Sequence, residues 1–597
     1  MAFLEKEHQE FQVFERLSRR LGGLVLKKKQ KEAITLLLQG KDVFAVLPTG
    51  FGKSLIYQSF VLIKQMEDES TSNSGGDRPS CLVIVPLRSI VEEQINSNDF
   101  HLTVKGFEKT ADVLNEMKNN KFQVIYASAE QALSKDFLQL LRDESTALKR
   151  QLSLIVVDES HTVETWGKSK KAGKKVLEPF RKDFGSLSSL RSFCPGVPLL
   201  AITGTATTKM RSSIRQQLAM GTDAVTINIS PNRANIRFAA IKTAKDDQLS
   251  YLGWMVDLIR EQNLSTPKTI IFCGTMHDVA KVFGFLLAEL RNAAYVPGKP
   301  SIPENRLIGI FHSLTWPKYK VRVSKSFREN EGHVRVVVAT SALSMGVNFP
   351  DVQYVIHMGP ARTVVDHIQE AGRAGRNGTN AHNIIYFHGN QLSHCLQSIK
   401  EFARCETCLR RALFQDFEEV PCTLPLHDCC SNCDNKCMCN GSACGRASFP
   451  FDNPKGKETV PRVACERVVS DDDRKVLHEA LREVRNSLDS STSFLFSSSS
   501  VHGFTSALVD DLVALAPSVF SLSDLLKRFP LFNIGHAKLV LQTFHEIFED
   551  IEGFDEMMAT IEPEEINILL PEDDEESVSS GSDTDPDRIN EEELENL

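Results

Sequence analysis

Ten short apolar runs recur through the first 390 residues, with helical patterns between most of them. They are Val43–Leu47, Cys81–Val85, Gln123–Ser128, Leu154–Asp158, Leu199–Gly204, Thr269–Cys273, Leu307–His312, Val334–Thr340, Val352–Met358 and Asn383–Phe387. Most are rich in β-branched residues and end at polar, Gly or Pro positions. A run of this kind alternating with helices predicts a parallel sheet covered on both faces, an α/β fold. Ten strands exceed one comfortable sheet. The chain is therefore expected to divide into two tandem lobes near residue 230, with ligand-handling residues just beyond the carboxyl ends of the strands.

Beyond residue 390 the texture changes. Ten of the fourteen cysteines fall between Cys395 and Cys444, and in an intracellular chain such a cluster more often marks a metal site than disulfides. The expected divisions are lobe 1 over 1–230, lobe 2 over 231–390, a cysteine-rich segment over 391–446, a Pro/Gly/Asp linker over 447–470, a helical region over 471–560 and an acidic tail over 561–597. Helical spacing returns at Asp471–Leu488 and Thr505–Phe554, separated by the serine run Ser497–Ser500. The net charge is −9, but residues 571–597 hold twelve acidic side chains and one basic one. The rest is close to neutral and can carry a basic groove; the tail is expected to be disordered. There is no apolar stretch of membrane-spanning length and no signal pattern at Met1–Glu5, so an intracellular location, nucleus or cytoplasm, is expected.

The segment Leu47-Pro48-Thr49-Gly50-Phe51-Gly52-Lys53-Ser54 follows an apolar run and precedes a helical pattern, the context a phosphate loop needs. Thr49, Gly50 and Gly52 let backbone N–H groups turn onto phosphates, Lys53 reaches the β/γ oxygens, and Ser54 can hold Mg²⁺. About a hundred residues on, Leu154–Val157 ends in Asp158-Glu159-Ser160-His161. Asp158 is expected to hold the same Mg²⁺, and Glu159 to orient and deprotonate the attacking water. Gln30, upstream of the loop, has an amide whose donor and acceptor match the edge of adenine.

Taken in order, these and later motifs resemble superfamily-two helicases and, within them, the RecQ family, over roughly residues 15–440. The carriers in lobe 1 include Gly40-Lys41-Asp42, Ser54–Gln58, Val85-Pro86-Leu87, Tyr126–Glu130, Asp158–His161 with Trp166-Gly167, and Thr203–Thr207. Lobe 2 contributes Ile271-Phe272-Cys273, Phe311-His312, Ala339–Asn348 and Gln369-Glu370-Ala371-Gly372-Arg373-Ala374-Gly375-Arg376-Asn377-Gly378. The resemblance implies two RecA-like lobes with ATP between them. Arg373 and Arg376 would be arginine fingers, Gln369 would touch the phosphates, and His161, Thr203 and Thr205 would couple the ATP site to the strand-binding face.

The chain departs from the family at several places. Ser160 stands where alanine is usual, Asn348 where aspartate is common, and Leu21–Leu26 where an aromatic precedes Gln30. The aromatic-rich loop that senses single-stranded DNA is interrupted after Trp166-Gly167-Lys168 by an insertion carrying Lys170, Lys171, Lys174 and Lys175, and resumes at Phe180–Phe184. Trp166, Phe180 and Arg181 remain the candidate DNA contacts, with stacking on bases or lysine grip on phosphates as the two ways of holding a strand.

The RecQ pattern also implies a zinc site. Here Cys408, beside Arg410-Arg411, with Cys430, Cys433 and Cys437 would supply four thiolates, and Cys405, Cys429, Cys439 and Cys444 offer alternatives. The C-terminal region matches no winged helix; a helix-turn-helix-like DNA contact, a protein-docking bundle and a plain helical cap stay open. The whole reads as an ATP-dependent 3′-to-5′ DNA helicase using ATP, Mg²⁺ and structural Zn²⁺. The alternatives are a DNA-stimulated translocase without strand separation and an RNA-directed helicase. Protein partners are not legible.

Overall fold

The computed structural model describes residues 12–71, 78–87, 90, 91, 94, 95, 102–168, 170–172, 175–299, 302–315, 317–344, 349–417, 426–437, 451, 467–490, 504–529, 531, 534–551, 554 and 558. Asn348, Lys174, Cys439, Cys444, the serine run, most of the proposed linker and the acidic tail lie outside these residues. Among the described residues no helix is long and apolar enough to cross a membrane.

Each of the ten apolar runs holds a strand, and the strands form two all-parallel sheets, as the alternation predicts. The first sheet contains β1 (Val43–Val46), β2 (Ser80–Ile84), β3 (Val104–Gly106), β4 (Val124–Ala127) and β5 (Leu152–Val157). After a separate hairpin, β6 (Lys170–Ala172) and β7 (Lys175–Leu177), it is completed by β8 (Leu199–Thr203) and β9 (Val225–Asn228). Its spatial order is β3-β4-β2-β5-β8-β1-β9. The second sheet contains β10 (Ile236–Lys242), β11 (Thr269–Cys273), β12 (Ile308–Phe311), β13 (Val336–Ala339), β14 (Tyr354–Met358) and β15 (Ala381–Phe387), in the order β10-β15-β14-β11-β13-β12.

The strands that no apolar run announces are β3, β9, β10 and the β6/β7 hairpin. The first three are sheet edges. An edge strand has a neighbour on one side only and tolerates charge, so Lys105 and Lys242 interrupt the signal, while Arg237 of β10 is buried against Asp434. The central strands β1, β2, β4, β11, β13 and β14 are buried at every position. Each sheet has a separate apolar cluster on either face, for instance Val43, Ala45 and Leu47 on one side of lobe 1 and Phe44 and Val46 on the other.

The cysteine-rich segment packs on the β10 edge of lobe 2. Arg410 is its deepest anchor, 1% exposed. It donates to the Ile236 carbonyl and to Asn232 Oδ1, and at 3.0 Å to the Arg233 carbonyl. Helices Asp471–Ser490, Ser506–Ala514, Leu522–Arg528 and Ile534–Phe548 share a core of their own, including Leu477, Leu481, Leu512, Leu525, Val540 and Phe544. This bundle docks on helix Met276–Leu290 of lobe 2. A Cβ at Gly284 would lie 3.1 Å from the Leu526 carbonyl, so the glycine sets the depth of the contact.

Candidate nucleotide site and nucleic-acid face

The phosphate loop leaves β1 and enters helix Ser54–Thr71. Gly50 and Gly52 take φ of +80° and +86°, open to glycine at little cost. Gln30 is buried against the loop. Its amide nitrogen donates to the carbonyls of Phe51 and Gly52, each at 3.0 Å, and its amide oxygen accepts from Lys27 N at 2.7 Å. In this arrangement the Gln30 side chain clamps the loop.

Lys53 Nζ lies 3.0 Å from Glu159 Oε1. Burial works against the lysine's charge, but Glu159 and Asp158 outweigh it and hold its pKa above the ordinary value. Burial also works against Glu159, yet Lys53 and His161 keep it firmly ionised. Asp158 is the opposite case: burial pushes it up to about 6, against the pull of Lys53. Its Oδ1 accepts the Glu159 N–H at 2.8 Å. Glu159 itself sits at φ +44°, a conformation costing on the order of 1 kcal/mol or more for a non-glycine residue, found where function requires it. The Ser54 hydroxyl and the Asp158 carboxylate are the hard oxygen donors that Mg²⁺ takes.

Lobe 2 closes the other side. Thr363 caps helix Val364–Ala371 by accepting from Asp366 N at 3.0 Å, and Val364, Val365, Ile368 and Ala371 are buried in the lobe 2 core. From this helix the Gln369 amide nitrogen reaches the His161 ring at 3.3 Å, and Thr49 Oγ1 donates to the Gly372 carbonyl at 3.1 Å. His161 also meets Thr203 Oγ1 at 3.1 Å through Nδ1, and Thr203 Oγ1 accepts from Thr205 N at 3.3 Å. The chain Gln369–His161–Thr203–Thr205 thus crosses the cleft. Arg376 is near enough to Lys53 for the two positive charges to repel. Arg373 is 3% exposed, its backbone N bonded to the Glu370 carbonyl at 3.1 Å.

Two residues of this cleft escaped the sequence reading. Arg233 donates to the carbonyls of Gly372 and Ala374 at 2.5 and 2.6 Å, fixing the backbone on either side of Arg373, and burial with the Arg376 charge lowers its pKa to about 10. A lone arginine after Pro231-Asn232 has no pattern to flag it. Glu370, fully buried, meets His357 Nε2 at 2.9 Å, with Asn383 and His367 beyond. Burial and the neighbouring Asp366 push Glu370 up to about 8, against Arg373.

The three candidate DNA contacts have different environments. Trp166 packs edge-on against Phe180 (5.5 Å) and Phe184 (5.7 Å). Phe184 is fully buried and Phe180 is 48% exposed. Arg181 is engaged internally. It grips Glu130 at 2.8 and 2.5 Å, donates to the Pro86 carbonyl, and lies over the Phe184 ring. Within the lysine insertion, Lys170–Ala172 and Lys175–Leu177 pair as the antiparallel strands β6 and β7.

The cysteine cluster differs from the sequence expectation in one ligand. The Sγ atoms of Cys408, Cys429, Cys430 and Cys433 lie within 4.8 Å of one another. Cys437 is not among them. Helix Ser431–Asp434 ends in a turn in which Cys437 N donates to the Asp434 carbonyl at 3.0 Å, carrying residue 437 past the cluster. Cys430 is bridged to Phe238 of β10, and both Cys429 and Cys430 are buried. Four thiols in a group fit tetrahedral Zn²⁺, whose S···S edge is about 3.8 Å; Cys408 and Cys429 are 3.6 Å apart. Arg237, Asp434 and His427 buttress the group, with Arg237 to Asp434 at 3.0 Å.

Comparison with known proteins agrees with this geometry. The sequence matches the DEAD/DEAH box helicase family over residues 27–212 and the helicase conserved C-terminal domain over 250–378. It is 27% identical over 433 residues to the ATP-dependent DNA helicase Q-like 2 of Arabidopsis thaliana, covering 68% of this chain and 54% of that protein. It is 26% identical over 438 residues to the ATP-dependent DNA helicase RecQ of Pasteurella multocida, covering 68% and 59%. A putative ATP-dependent RNA helicase of Acanthamoeba polyphaga mimivirus is 26% identical over 440 residues, covering 69% of each chain. The chain spans little more than half the length of the first two.

Proposed function

We propose that this RecQ-like superfamily-two helicase chain is a DNA-directed motor that steps 3′-to-5′ as ATP is hydrolysed between its lobes. The observation that carries the reading is the polar chain across the cleft. Gln369 of lobe 2 reaches His161 of lobe 1 at 3.3 Å, next to the Lys53–Glu159 pair. Lobe closure and the hydrolytic residues therefore share one hydrogen-bonded path.

In this reading the triphosphate draws Lys53 away from Glu159. Glu159 is then available to orient the attacking water and take its proton. Ser54 and Asp158 would hold Mg²⁺, which supplies charge neutralisation on the phosphates when bound. Arg373 and Arg376 bring guanidinium charge to the γ-phosphate from the far side. Gln369 and Arg233 keep that segment in place, and Thr203 and Thr205 pass the closed or open state toward the nucleic-acid face. Cys408, Cys429, Cys430 and Cys433 would hold Zn²⁺ as a crosslink that replaces apolar core in the segment on β10, outside the chemistry. The 3′-to-5′ sense and the preference for DNA come from the RecQ likeness.

The test is an ATP-turnover and strand-displacement assay on the full chain with single-stranded DNA, forked DNA and RNA, against a Lys53→Ala control. DNA-stimulated turnover and displacement well above the control are expected. Turnover without displaced strand would select a translocase, strand separation confined to RNA would select an RNA helicase, and turnover equal to the control would reject the motor.

A further inference from the structure

Arg373 and Arg376 stand on backbone that is held from outside their own segment. The carbonyls flanking Arg373, those of Gly372 and Ala374, both accept from Arg233. Two residues on, Asn235 repeats the arrangement around Arg376. Its Nδ2 donates to the Gly375 carbonyl at 2.9 Å and to the Thr379 carbonyl at 2.7 Å, on either side of the turn that carries Arg376. Both acceptors are carbonyl oxygens, so the amide nitrogen, with its two hydrogens, must be the atom that faces them. The fit is close: a Cβ at Gly375, whose φ is +59°, would lie 2.5 Å from that nitrogen. Gly378 N closes the turn on the Gly375 carbonyl at 3.1 Å.

Sheet pairing does not account for this contact. Strands β10 and β15 pair from Ile236 opposite Ala381 onward, and the Asn235 carbonyl extends the ladder by accepting from Ala381 N at 2.8 Å. The Asn235 side chain reaches past the end of the ladder, into the loop. The turn it stands on is itself anchored. Ile236 N donates to the Arg233 carbonyl at 3.2 Å. From the cysteine-rich segment, the buried Arg410 donates to the Arg233 carbonyl at 3.0 Å and to the Ile236 carbonyl, holding both ends of the turn. A short side chain on a fixed turn holds its neighbour with little slack. Arg376 in turn is near enough to Lys53 and to Arg233 for its charge to bear on both.

We propose that Asn235 is a positioning residue for Arg376: its amide spans the turn and fixes where the guanidinium enters the nucleotide cleft. The inference rests on the reading of Arg376 as an arginine finger and deepens it, naming the side chain that sets the finger's place.

The full chain, saturated with single-stranded DNA, is assayed for ATP turnover. Binding of AMP-PNP, a ground-state analogue, and of ADP with aluminium fluoride, a transition-state mimic, is measured alongside. The variants are Asn235→Asp, which keeps the size but replaces both donors with an acceptor, Asn235→Ala, Arg376→Ala, and Asn235→Asp combined with Arg376→Ala. A displacement of about 1 Å at a reacting geometry costs on the order of 100-fold in rate. Asn235→Asp is therefore expected to lower kcat by about 100-fold and to leave KM for ATP within about threefold of the parent. It should lose affinity for the mimic by a matching factor while binding AMP-PNP as the parent does. Asn235→Ala, which adds no repulsion, should fall between the two. With Arg376→Ala in place there is no finger to misplace, so Asn235→Asp should cost less than about threefold more. Parental kcat in both Asn235 variants overturns the proposal. So does a further loss of about 100-fold on top of Arg376→Ala, which would make Asn235 a residue of general structure. Parental turnover in Arg376→Ala would instead reject the finger role itself, and an unaltered chain that turns over no ATP would strike the motor reading.

Discussion

Replacing Cys429 by serine separates two readings of the metal site, because the motif spacing favours Cys437 and the fold gathers Cys429. With Zn–S near 2.3 Å, the sulfurs of a tetrahedral site are about 3.8 Å apart. The four gathered here lie within 4.8 Å of one another, so closing on an ion asks little of the backbone. A structural Cys₄ site in small zinc peptides is worth roughly 10–16 kcal/mol, or about 3 kcal/mol per thiolate if shared equally. At 1.4 kcal/mol per tenfold, Cys429→Ser should weaken zinc binding by about 100-fold or more. Cys437→Ser should change it by less than about tenfold. Zinc per chain and competition with a colorimetric chelator, both on the full-length protein, measure this directly. If Cys437→Ser releases the metal while Cys429→Ser holds it, the assignment from the fold is wrong. If the unaltered protein carries no zinc, the four-thiol argument fails altogether.

Gly167→Ala should be strongly destabilising. Its Cβ would lie 2.5 Å from Gly185 N and 2.6 Å from the Val163 carbonyl, backbone atoms that cannot step aside, and overpacking of this kind costs about 1–3 kcal/mol or more. Denaturant unfolding checks this, and a variant as stable as the parent would show that the approach of Gly167 to Gly185 is looser than described. Glu370 makes stability depend on pH. Its carboxyl titrates near its ordinary 4.5 in the unfolded chain and at about 8 in the fold, so the folded state holds the extra proton between those values. The stabilisation is complete below the lower value and is lost as pH rises through the upper one. Glu370→Gln, which needs no proton to stay neutral, should flatten the fall in melting temperature across that interval; parallel curves for parent and variant would exclude Glu370 as its source.

The sequence determined the elements that lie deep or that carry ordered motifs. A strand covered on both faces must be apolar at every position, so the ten runs announced the parallel sheets without any knowledge of contacts. The phosphate loop and Asp158-Glu159 were legible because their chemistry is local: glycines at positive φ, a lysine and a carboxylate at strand ends. The tertiary structure decided what depends on partners distant in the chain. Edge strand β3 carries Lys105 on an open flank, and in β10 the charge of Arg237 is claimed by Asp434 of the cysteine-rich segment, so neither shows an apolar run. Arg233 and Glu370 acquire meaning only against Gly372 and His357. Arg181 pairs with Glu130, fifty-one residues earlier, a partner that its own neighbourhood in the sequence does not announce. Cys429, rather than Cys437, is gathered with Cys408, Cys430 and Cys433, a grouping that spacing along the chain does not encode.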